Sequence, residues 1–225
     1  VDLVTSARVG DLHRDDGRWT LEYEREGGPV TRTADAVIAA LAGPVLGRLA
    51  RLPADYRAKL EAIPYRGIVC LLLELERPLS SHYWVNVTDR IGMGCVGIIE
   101  HTNFVPAERY GGRSLVYLAH YVGRDDPAWK ASTEELIAAA EPSLRALQPA
   151  FEPDWVREVH DSRDPFAQPV PVVGGPMATL PLTTGLPGLF HASLAHVYPH
   201  DRGVSMAIAL GRRVAADADA YLESG

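Results

Sequence analysis

The chain has 225 residues, 47% hydrophobic and 23% charged, an ordinary globular composition with room for one large domain or two small ones. A formal net charge of −7 and a pI near 5.6 argue against a nucleic-acid or anionic-membrane partner. No apolar run approaches the ~18 residues of a membrane span and no secretory pattern is visible, while two cysteines in apolar runs, Cys70 and Cys95, read as buried thiols of a reducing, cytoplasmic compartment.

The opening VDLVTSARV reads as the interior of a longer chain. From Arg18 the residues alternate polar and apolar around Gly27-Gly28, which predicts a hairpin of Arg18–Glu24 with Pro29–Thr33. Asp35–Leu41 is a continuous apolar run, as a strand covered on both faces would be. Pro44–Leu52 and Asp55–Ile63 read as short helices, with Pro53 between them and Pro64 after them. Arg66–Glu76 is a long strand stopped before Pro78, followed by strands in HYWVNV and CVGIIEH. Ser114–Val122 alternates, as a strand with one solvated face does. Thr133–Gln148 is an amphipathic helix with Ser132 or Thr133 as its cap and Glu134 and Glu135 in its first turn, to be kinked or split at Pro142. DWVREVHDS is another strand, and the proline-rich stretch from Arg163 to Pro187 is expected to run over a surface. GLFHASLAHV is an apolar strand, and Val204–Leu222 a closing helix with Asp201 as its N-cap.

The glycines at 92, 94 and 97 have the G-x-G-x-x-G spacing of a dinucleotide turn. Such a turn needs a helix after it, whose free N–H groups and positive end meet the pyrophosphate. Here Ile98, Ile99, His101, Thr102, Asn103 and Phe104 follow, a strand and a loop, so the spacing is rejected as a nucleotide site. His191, His196 and His200, spaced by five and four, lack accompanying carboxylates or cysteines and read as partly exposed loop residues rather than metal ligands. Glu100, His101 and Asn103 at the end of an apolar strand are either a satisfied turn or the lining of a cleft. The segment Tyr198–Ala216 presents a helix start beside Gly203, with small residues that let the helix lie close on a sheet, suited to an electron-rich oxygen or to plain packing.

Three segments carry a family resemblance. Thr33–Leu49 (TADAVIAALAGPVLGRL), Gly185–Ala218 (GLPGLFHASLAHVYPHDRGVSMAIALGRRVAADA) and the middle stretch from IPYRGIVCLLLELE to FVPAERYGG together resemble the flavin-containing amine oxidase superfamily, which spans monoamine oxidases, protoporphyrinogen oxidase and phytoene desaturases. The resemblance implies a mixed α+β fold, with a largely antiparallel substrate domain at 51–184 inserted between pieces of a Rossmann-like FAD domain at 1–50 and 185–225. It implies FAD as cofactor, a small-molecule substrate oxidised by hydride transfer, and an N-terminal segment or partner chain carrying the true G-x-G-x-x-G unit.

By position, the closing helix start at Gly203, Val204 and Ser205 would meet the flavin's pyrimidine edge, and Val9 resembles the residue that contacts adenine. Ser193 and Leu194 stand near where the family places an acid that holds the cofactor, and Ala42 stands where proline is usual. The expected substrate-lining set is Tyr83, Trp84, Asn86, Glu100, His101, Asn103, Tyr117 and His120, with no catalytic acid or base named. The competing expectations are a non-catalytic ligand-binding or interaction domain of the same fold and, more remotely, a metal hydrolase built on the histidines.

Overall fold

A computed structural model describes residues 1–88 and 95–224. The chain divides into a split unit, Val1–Pro64 with Pro169–Gly225, and an inserted unit, Tyr65–Gln168. The fold is mixed α+β, with mostly antiparallel sheets.

The split unit begins with a three-stranded antiparallel sheet of β1 (Arg8–Asp15), β2 (Arg18–Arg25) and β3 (Gly28–Ala34). The expected hairpin is β2–β3, turning at Gly27 and Gly28, both at positive φ. β1 was not anticipated. It is an edge strand that buries only Leu12, so its alternation is faint in the sequence. Trp19 of β2 is buried and its Nε1 donates to the Pro187 carbonyl at 2.9 Å.

β4 (Val37–Ala39) then pairs in parallel with β10 (Leu189–His191), joining residues about 150 positions apart in the chain. Gly188, just before β10, sits at φ +74°, and a Cβ there would come within 2.8 Å of the Asp35 carbonyl oxygen, so only glycine fits this approach. Helices α1 (Gly43–Leu49) and α2 (Ala54–Glu61) pack closely because Gly43 has no side chain to meet Leu60. Helix α4 (Val204–Ser224) lays Val214 and Ala218 against Phe190, Leu182 and Ala192. Leu180, Leu182 and Thr184 are buried, so the proline-rich stretch does not simply run over a surface.

The inserted unit is one five-stranded sheet, in the order β6 (Trp84–Asn86), β7 (Gly97–Glu100), β8 (Ser114–Val122), β5 (Tyr65–Leu75) and β9 (Val156–Pro169, whose last residue belongs to the split unit). Strand β9 continues well past the expected DWVREVHDS, into the proline-rich stretch. One face of the sheet carries Val69, Leu71, Leu73, Leu75, Ile98, Val116 and Leu118, and packs on Leu136, Ala140 and Leu144 of α3 (Thr133–Leu147). Those three helix residues are four apart and share one stripe. Ser132 caps α3 in a reciprocal capping box with Glu135. The helix runs unbroken through Pro142, which removes only one intrahelical donor while the apolar stripe keeps the turns on either side seated.

Candidate functional site

In the split unit the chain leaves β10, makes a 3₁₀ turn over Leu194–Val197, and enters α4. The α4 ladder opens with the Ala207 N–H donating to the Gly203 carbonyl, which leaves the amides of Val204, Ser205 and Met206 ahead of it. Gly203, Val204 and Ser205 are all exposed, and nothing stands where a Gly203 side chain would be. Asp201 is not the N-cap: its carboxylate accepts from the Arg202 amide, outside the helix. Val9 is exposed at an irregularity of β1, whereas the other expected cofactor residues lie in the turn after β10 and at the start of α4.

Ser193 is committed elsewhere. Its amide donates to His196 Nδ1, and its hydroxyl lies 3.1 Å from the same nitrogen. Leu194 beside it is exposed. His196 Nε2 reaches the Pro181 carbonyl at 3.2 Å, and His191 Nε2 the Leu41 carbonyl at 2.8 Å. A carbonyl only accepts, so both rings carry their proton on Nε2, and each Nδ1 is an acceptor. His191 Nδ1 takes its bond from the Tyr56 hydroxyl at 2.9 Å, which also lies 3.1 Å from the Pro181 oxygen.

Both imidazoles are buried, which corrects the expectation of partly exposed loop histidines. With both nitrogens of each ring engaged, neither has a lone pair for a metal. Burial pushes the His196 pKa down to about 4, helped by the neighbouring His191, and holds His191 below its usual range as well. Burial also raises the Tyr56 pKa. Two of the partners that enclose His191, Tyr56 and Leu41, lie 135 and 150 positions away in sequence, so the segment GLFHASLAHV offered only its apolar character as a signal.

In the inserted unit, strand register sorts the expected lining residues. Trp84 lies opposite Ile99, Ile99 opposite Tyr117, and Tyr117 opposite Leu72, one row across four strands. A second row is Asn86, Gly97, Ala119 and Cys70. Paired residues point to the same side of a pleated sheet, so these rows share the face away from α3. On that face Trp84 Nε1 donates to Asn86 Oδ1 at 2.8 Å, and the Trp84 ring lies 3.7 Å from where a Gly97 side chain would begin. His101, in a 3₁₀ turn after β7, stands edge-on to Tyr117 and bonds the Tyr110 hydroxyl at 2.8 Å. Tyr83 packs against Phe104, both exposed.

Three of the set do other work. Glu100 pairs with Val116 on the α3 side and is 1% exposed. Its carboxylate accepts from the amides of Leu79 and Ser80 and from the Ser114 hydroxyl. Asn103 Nδ2 donates to the carbonyls of Ser80 and His82. Both hold the same turn, which is the satisfied-turn reading of this stretch. His120 pairs with Val69 on the α3 side. Of the G-x-G-x-x-G spacing, Gly92 and Gly94 lie outside the described residues, and Gly97 opens strand β7.

The thiols are quiet: burial pushes Cys95 up to about 11, and burial followed by the Asp161 charge raises Cys70. Glu74, Glu158 and His160 place ligand-type atoms within 4.8 Å of one another, a grouping not foreseen from the sequence. Glu74 is held there by Arg113 and His160, the bond from His160 coming first in keeping its carboxyl below the usual range. Among the described residues no helix is long and apolar enough to cross a membrane.

A family model described as flavin containing amine oxidoreductase matches residues 1–218. No curated protein matches the chain. Among solved structures, one from Exiguobacterium sp. 255-15, provisionally assigned as a protoporphyrinogen oxidase, superposes with a TM-score of 0.66 at 18% identity, covering 96% of this chain and 47% of its own. An oxidoreductase from Methanosarcina mazei superposes at 0.58 with 18% identity, covering 83% of this chain and 43% of its own. The chain thus spans about half the length of these structures.

Proposed function

This chain belongs to the flavin-containing amine oxidoreductase family, and on that premise we propose that it forms the C-terminal part of an FAD-dependent enzyme oxidising a small organic substrate. The observation that carries the reading is the start of α4. Its leading amides are open, and Gly203 leaves the approach to them free. That end fits a hydrogen-bond-accepting, electron-rich edge such as that of a flavin ring. Bound FAD supplies the acceptor for the hydride that leaves a substrate C–H bond.

The chain's own residues then have two tasks. The amides of Val204 and Ser205 bind and orient the ring edge, with no ionised side chain needed. The face bearing Trp84, Tyr117 and Asn86 receives the substrate, excludes water over apolar Ile99 and Leu72, and fixes orientation through its few polar groups.

An N-terminal segment or partner chain completes the cofactor site on this reading. Parallel sheets are ordinarily multi-stranded and covered on both faces, whereas β4 and β10 form a pair of two. Ile38 of β4 is 41% exposed, and Val204 and Ile208 of α4 are exposed along one stripe, as surfaces awaiting further strands would be.

The test is spectroscopic. The chain produced together with the segment encoded upstream of it is expected to carry flavin absorbance, released on denaturation, while the chain by itself binds FAD weakly. A colourless assembled protein that takes up no added FAD overturns the proposal and favours a non-catalytic binding domain.

A further inference from the structure

The gap between β6 and the final turns of α3 forms a second candidate site, independent of the flavin reading. β6 is the edge strand of its sheet, and Val85 and Val87 flank the core there beside Ile98. The α3 stripe of Leu136, Ala140 and Leu144 seats on the middle of the core, whereas Ser143, Ala146 and Leu147 border a cleft of about 220 Å³ walled by Val85, Val87 and Ile98, with Asn86 and Thr88 completing the lining. Register puts Val85 on the side opposite Trp84, so these walls belong to the α3 side of the sheet.

Two observations point to an occupant. The first is size and lining. An apolar cavity of roughly 150 Å³ admits benzene, and this cleft exceeds that while none of its lining residues is ionisable. A charged guest would have no counter-charge and would be excluded. The second is Ser143, 5% exposed, whose Oγ has no hydrogen-bond partner among the described residues. A helical serine ordinarily bonds the carbonyl one turn back, and buried hydroxyls are rarely left unpaired. Serine reorients its hydroxyl about a single bond, so a guest seated in the cleft can engage it.

We propose that this cleft binds a small, neutral, ring-sized molecule bearing one hydroxyl or carbonyl, with Ser143 Oγ as its hydrogen-bond partner. Calorimetric titration of the full chain with p-cresol, toluene and p-toluate tests it. The two neutral probes are expected to bind saturably and p-toluate not at all. Ser143→Ala is expected to shift the p-cresol-to-toluene affinity ratio about five-fold toward toluene, the worth of one neutral hydrogen bond. Ala146→Leu, which fills the cleft with an apolar side chain, is expected to abolish binding of both while the protein stays folded. Absence of saturable p-cresol binding, binding of p-toluate as tight as that of p-cresol, or binding that survives Ala146→Leu overturns the site. A ratio unmoved in folded Ser143→Ala overturns the role of the hydroxyl. Should Ser143→Ala not fold, Ser143→Thr, which keeps the hydroxyl but crowds the cleft, is expected to weaken both probes, and unchanged affinities overturn the proposal.

Discussion

The rings of His191 and His196 meet edge to face with centroids 4.8 Å apart, each donating from Nε2 to a backbone carbonyl. Two neutral imidazoles in van der Waals reach are compatible with a buried site; two imidazolium ions are not. Acid stability follows. The unfolded chain takes up a proton on His196 near 6.5, the folded protein only at about 4. Between those values the unfolded state binds more protons, so stability rises with pH there. The contribution is whole above pH 6.5 and falls by on the order of 3 kcal/mol as pH drops to about 4. Denaturant midpoints across this range measure it. His196→Gln keeps a non-titrating side chain in the capping box with Ser193 and is expected to flatten the pH dependence. An unchanged slope in that variant removes His196 as the cause.

Glu100 is the bracket of the Leu79–Ser80 turn. Replacing it with alanine strands two amides at once and leaves the Ser114 hydroxyl only Thr102 Oγ1, and is expected to cost about 3 kcal/mol. Glu100→Gln puts a donor where a donor already points and is expected to lie between. Urea unfolding of the two variants gives the order, and equal stability of alanine and wild type would contradict it.

Gly67 on β5 faces the Trp129 ring, and a Cβ there would come within 2.2 Å of Trp129 Cζ2 and 2.9 Å of the Asp164 carbonyl oxygen. The tryptophan is tied to the Gly123 carbonyl through Nε1 and cannot simply withdraw. Gly67→Ala is expected to destabilise by about 2 kcal/mol and to alter tryptophan fluorescence in the folded state. An unperturbed emission spectrum and unchanged Tm would show the contact to be slack.

At the start of α4, Val204→Pro removes one leading amide where proline is tolerated. The helix is expected to persist by circular dichroism, while FAD affinity of the assembled protein falls about ten-fold through loss of one donor. Unaltered flavin affinity would place the ring edge elsewhere.

Elements with a strong local pattern were legible in the sequence. Strand β8 matches its expected span of Ser114–Val122, and the Ser132 cap of α3 is present. The resemblance carried by Thr33–Leu49 and Gly185–Ala218 led to the right family. The candidate site was less legible. Trp84, Asn86 and Tyr117 were named from residue type, yet only cross-strand register puts them on one face and turns Glu100 and His120 to the other. A register is a relation between strands, and no single segment contains it.

By itself the sequence determined the helices, strands β5 and β8, and the family, because hydrophobic period, caps and prolines act over a few neighbouring residues. The tertiary structure decided which polar groups are sealed in. Tyr56 and His191 stand 135 positions apart, and Trp19 bonds a carbonyl 168 positions away. The charge state of a buried imidazole depends on the water it loses and the carbonyl it meets, and only the folded chain brings those together.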